Sequence, residues 1–76
     1  MDSKTIKINN LNAWKKDIAF STALTFRDKT FVKDLGVNGK GEWSVRHIER
    51  KTDTAYTTKT FIYATTALEY YESLQP

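Results

Sequence analysis

The stretch 41-GEWSVRHIERKTDTAYTTKTF-61 alternates apolar with charged residues along one arm, turns at Lys51-Thr52-Asp53, and returns along a threonine-rich arm that ends on a phenylalanine. Period-two alternation in a segment rich in β-branched and aromatic residues predicts a β-hairpin over 43–50 and 56–63. Successive strand residues point to opposite faces, so the first arm sorts into two sets. Trp43, Val45, His47 and Glu49 form one, and Ser44, Arg46, Ile48 and Arg50 the other. The large apolar residues assign the first set to the core side, with His47 as a core or rim histidine, and send both arginines outward. Phe61 just before the next element is expected in the core, which places Tyr56, Thr58, Thr60 and Ile62 on the outer face, with Lys51 and Lys59 nearby. That register is sensitive, because a slip of one residue exchanges the two faces.

Outward from the hairpin, the C-terminal segment changes period. Ala67, Tyr70, Tyr71 and Leu74 recur at helical spacing, and Thr66 followed three residues later by Glu69 has the spacing of a capping box. The expectation is a helix that lays one stripe on the sheet, with Glu69 and Glu72 early enough to suit the helix dipole. Upstream, Leu24 and Phe26 alternate with threonines from Phe20 onward, Arg27-Asp28-Lys29 reads as a polar turn, and Phe31, Lys33 and Leu35 continue as a strand. The Asn38-Gly39-Lys40-Gly41 loop then carries the strongest short turn signal in the chain. Leu11, Trp14 and Ile18 predict a short helix over 10–19, and the alternation at 5–8, with Ile6 and Ile8 on one side, predicts a brief edge strand before it. The expected architecture is α+β: a single antiparallel meander with the C-terminal helix packed on one face and a short N-terminal helix against an edge or that same face.

Seventy-six residues support one domain, 1–76, with a modest core. No cysteine is present, so disulfides, thiolate metal sites and thiol nucleophiles are excluded, and the reading is a cytoplasmic protein. No apolar run reaches the ~18 residues that suggest a membrane span, and no signal peptide is legible. Charge is uneven: residues 1–59 hold all twelve Lys and Arg against seven Asp and Glu, whereas 60–76 hold only Glu69 and Glu72. A sequence pI near 9.3 fits an acidic partner, either nucleic acid or an acidic protein surface. One histidine, no cysteine and no glycine-rich phosphate loop argue against an enzyme, a cofactor or a small-molecule substrate, and Asp17, Asp28 and Asp34 lack metal-ligand spacing.

The outer hairpin face thus gathers Ser44, Arg46, Ile48, Arg50, Lys51, Tyr56, Thr58 and Lys59 as candidate nucleic-acid or partner contacts. Arginine and lysine neutralise phosphates, hydroxyls bond phosphate oxygens, and a β-ribbon fits the major groove. The same residue types also make an ordinary solvated antiparallel face. Residues 41–74 resemble the three-stranded-sheet-plus-helix DNA-binding domain at the N-termini of tyrosine recombinases of phages and integrative elements, related to the plant ethylene-response type. Gly41, Trp43, Val45, Lys59-Thr60-Phe61, Thr65, Ala67 and Tyr70 carry the likeness. The resemblance implies a sheet entering the major groove, with contacts from the positions of Ser44, Arg46, Ile48 and Arg50. The expected function is a small non-catalytic DNA-binding protein of phage or mobile-element type. The alternative is a small phage-encoded inhibitor of a host machine, of anti-CRISPR or polymerase-inhibitor type, acting through an interface rich in Tyr and Arg. Single-strand binding by stacking ranks third, since Tyr56 is the one aromatic expected on that face.

Overall fold

The computed structural model describes residues 2–16 and 21–75. Along the chain run α1 (Ser3–Lys15), β1 (Ser21–Arg27), β2 (Phe31–Val37), β3 (Trp43–Glu49), β4 (Thr57–Phe61) and α2 (Ala64–Ser73). The four strands form one antiparallel sheet in the order β1-β2-β3-β4. Both helices pack on one face, so the architecture is the expected α+β meander.

The core lies between that face and α2. Leu35, Val37, Trp43 and Val45 from the sheet meet Ala64, Ala67, Leu68 and Tyr71 from α2, and Leu11 of α1 joins them. Trp14 packs its ring 6.3 Å from that of Trp43, which brings α1 to the α2 side rather than to a sheet edge. The pairing Trp43↔Phe61, Ser44↔Thr60, Val45↔Lys59 and Arg46↔Thr58 sets the hairpin register. Phe61 therefore lies on the core side and Thr58 and Thr60 lie outward, as alternation predicts.

Expectations at both helices are corrected. Residues 5–8 are helical, not an edge strand: α1 begins at Ser3, where Asp2 caps it by accepting a 2.7 Å bond from the Thr5 N–H. The helix runs on through Asn9 and Asn10, because Ile8, Leu11 and Trp14 share one face and anchor it to the core. The predicted continuation through Asp17 and Ile18, and the strand start at Phe20, lie outside the described residues.

Nor does a capping box open α2. The helix starts at Ala64, its cap residue Tyr63 makes no side-chain bond, and the Thr66 hydroxyl donates back to the Tyr63 carbonyl at 3.1 Å. Glu69 sits mid-helix and Glu72 in the last turn, where they pair with Lys4 and Lys7 of α1 at 2.9 and 3.4 Å. The buried stripe includes Ala64 and Leu68 as well as Ala67 and Tyr71, while Tyr70 and Leu74 are half-buried.

Side chains close the turns. Asp28 accepts from the N–H groups of Thr30 and Phe31, and Asn38 from those of Lys40 and Glu42. Asp53 accepts from the Glu49 N–H. Gly41 has φ of 80°, a conformation that favours glycine. At the β1–β2 pair, Thr22 faces Gly36 while Leu24 faces Leu35, so Ala23 is the extra residue of a bulge. A Cβ on Gly36 would come within 2.1 Å of the Ser21 carbonyl oxygen, so only glycine fits beneath that bend.

Candidate functional site

No described helix covers the second face of the sheet. Cross-strand pairing puts Thr25, Asp34, Arg46 and Thr58 in one row across it, with Arg27, Val32 and Ile48 in a second and Thr22, Gly36, Ser44 and Thr60 in a third. The face is therefore hydroxyl-rich, with arginines and one carboxylate. A groove of ≈ 570 Å³ crosses it, lined by Thr22, Asp34, Gly36, Ser44 and Arg46 among others.

On this outer face Asp34 is buried, 7% exposed, and is the one buried charged residue among the described residues. Both its carboxylate oxygens accept from Arg46 Nε, at 2.8 and 3.0 Å. The Arg46 guanidinium also lies 4.7 Å from the centre of the Tyr56 ring, a cation–π contact. One arginine is thus held at its edge by an acid and on its face by an aromatic. Its side chain remains 48% exposed.

The candidate residues read from the sequence divide into three groups. Ser44, Arg46, Ile48 and Thr58 share the outer face, with Tyr56 drawn onto it by Arg46. Ile48 is half-buried beside Val32, itself 2% exposed, so it extends an apolar spot on that face rather than standing free. Arg50 and Lys51 lie beyond β3 in the turn, both exposed; the Arg50 N–H donates to the Thr30 carbonyl at 2.7 Å and joins the β1–β2 and β3–β4 turns. Lys59 is a correction. Its pairing with Val45 puts it on the helix face, where its Nζ lies 4.9 Å from the Tyr70 ring. Both arginines leave the core as alternation predicts, and Arg46 is in addition ion-paired to Asp34.

Two contributors escaped the sequence reading. Arg27, assigned to a turn, closes β1 on the outer face opposite Val32. Asp34 was weighed only as a metal ligand; alternation with Val32 and Gly36 could have placed it outward. Arg27, Lys29, Arg50 and Lys51 surround the two joined turns at one end of the sheet. Asp28 and Asp53 close the turns as carboxylates, the backbone N–H groups of Thr30 and Phe31 holding the Asp28 carboxyl below its ordinary value with a smaller contribution from Arg50. This end carries four cations, all exposed, against the three acids Asp28, Glu49 and Asp53.

On the helix face, Lys33 bonds the carbonyls of Tyr71 and Leu74 at 2.8 and 3.3 Å and lies 4.2 Å from the Tyr71 ring. Burial lowers its pKa, and its role is to tie the end of α2 to the sheet. His47 packs its ring 6.1 Å from Phe31 on that side. Among the described residues no cluster of His, Asp and Glu has the arrangement to hold a metal ion, and no helix is long and apolar enough to cross a membrane. Compared with known protein families, curated proteins and solved structures, the chain matches none.

Proposed function

We propose that the chain is a small non-catalytic protein that binds duplex DNA through the outer face of its sheet. The observation that carries this reading is the juxtaposition on one helix-free face of exposed hydroxyls and a basic end: Thr22, Thr25, Thr58 and Thr60 beside Arg27, Arg50 and Lys51. Hydroxyls and cations are the groups that hold phosphates and set a protein's register on the duplex. Four strands span ~14 Å at ~4.8 Å each, a little more than the ~12 Å major groove. The β3–β4 hairpin enters the groove on this reading, and the basic turns and β1 rest on the flanking backbones.

The test is duplex affinity against salt. Wild type should shift a randomised duplex at low salt, and Arg27→Ala or Arg50→Ala should each lower the magnitude of the log K against log[salt] slope by ~1. No shift at micromolar protein and low salt would end the proposal.

A second reading has its own observation. Ile62 and Tyr63, between β4 and α2, are 81% and 68% exposed. Adjacent apolar side chains so open to water suit a protein partner, and binding as an inhibitor of a host protein would bury them. Ile62→Ser with Tyr63→Ser should then abolish partner capture and leave duplex affinity as it was.

A further inference from the structure

We propose that Arg46, held in place by Asp34, reads a guanine edge in the major groove rather than a phosphate; the inference rests on the duplex-binding reading above. The reason is the division of labour within the ion pair. A guanidinium carries five N–H donors, and Asp34 takes the one on Nε, so the four on the Nη atoms are left for a ligand among the described contacts. At a distance the pair is neutral. It adds little to the attraction of phosphates, which scales with uncompensated charge; Arg27 and Lys51 supply that term, with Arg50 partly offset by Asp28. At hydrogen-bond range the donors of Arg46 still act, and they need two acceptors lying in a plane. Guanine O6 and N7 are such a pair, and arginine on guanine is the commonest specific base contact; a phosphate also offers two oxygens, but it attracts a neutralised pair weakly.

Preorganisation strengthens the assignment. Asp34 fixes the edge of the guanidinium and Tyr56, 4.7 Å away, fixes its plane, so much of the rotamer entropy of a long side chain is lost before a base arrives. Thr58 stands directly across from Arg46, and Ser44 lies on the same strand and face, so two hydroxyls are at hand for the neighbouring bases. Asp34 is a positioning residue in this scheme, acting on DNA only through Arg46.

Selection from a pool of randomised duplexes tests it. Wild-type protein should enrich sites that share a guanine at one position, and replacing that guanine with 7-deazaguanine, which removes the N7 acceptor and leaves the charge unchanged, should weaken binding about fivefold or more. Arg46→Lys should fold, keep its duplex affinity to within a few-fold, and lose the distinction between the two bases. Asp34→Asn should raise the salt dependence, because it uncovers a positive charge, and weaken the guanine preference; a purely structural Asp34 would leave the guanine preference unchanged. Duplex binding with no shared guanine, or equal affinity for the 7-deaza site, overturns this inference and leaves the duplex reading standing. No retention on any duplex overturns both.

Discussion

Replacing Arg46 with alanine removes the described partner of a carboxylate whose side chain is only 10% exposed. An unpaired, nearly buried acid costs free energy, and the half-exposed arginine moderates the loss, so Arg46→Ala should destabilise by about 1–2 kcal/mol in urea unfolding. Arg50→Ala, at an exposed turn position, should change stability by less than about 0.5 kcal/mol. Alternation alone showed that both arginines leave the core. It could not show the difference between them, which depends on Asp34 and Arg46 being cross-strand partners, a fact of the β2–β3 register. Asp28 gives a pH test at the same scale. Its carboxyl is held below its ordinary value in the folded turn, first by the Thr30 N–H, so the unfolded chain binds the proton more readily. The resulting stability is complete above pH about 4 and is lost as the pH falls through the lowered folded value. Melting temperatures followed from neutral to acid pH should fall less steeply for Asp28→Asn than for wild type.

At the scale of elements, α2 and the β1–β2 bulge make the sharpest predictions. Leu68 is 1% exposed in the middle of the core, and Leu68→Ala should cost about 2–5 kcal/mol. Thr66→Ala should cost less than the ~1 kcal/mol of a lost helix cap, because its hydroxyl only bonds back to the Tyr63 carbonyl. Equilibrium unfolding of the two variants separates these outcomes. Gly36→Ala drives a methyl into the Ser21 backbone and should break the β1 register, visible as lost hydrogen-exchange protection in β1. The sheet and α2 were legible because their periods, two and 3.6, are long and uninterrupted. The first turns of α1 were misread because Ile6 and Ile8 mimic strand alternation over a few residues, whereas Leu11 and Trp14, legible as a helical stripe, anchor the rest of the helix to the core. The capping-box spacing misled for a related reason: α1 lies beside α2 and takes Glu69 for Lys4.

For the whole molecule, the two faces of the sheet differ in what they carry. One carries the core, with its acids, Glu69 and Glu72, paired to lysines of α1. The other carries hydroxyls, the Asp34–Arg46 pair and the basic turns. Candidate contacts were legible wherever strand parity decides the face, as at Ser44, Arg46 and Thr58. Lys59 was grouped with them by nearness in sequence, although the same parity puts it with Val45. The most direct test of the two-face account is a titration of the labelled protein with duplex DNA, followed by amide chemical shifts. Shifts concentrated at Thr25, Arg27, Ser44, Arg46, Arg50, Thr58 and Thr60, with Ala67, Leu68 and Glu69 of α2 unmoved, are the predicted result. Shifts centred on α1 and α2, or none at any residue at low salt, would contradict it.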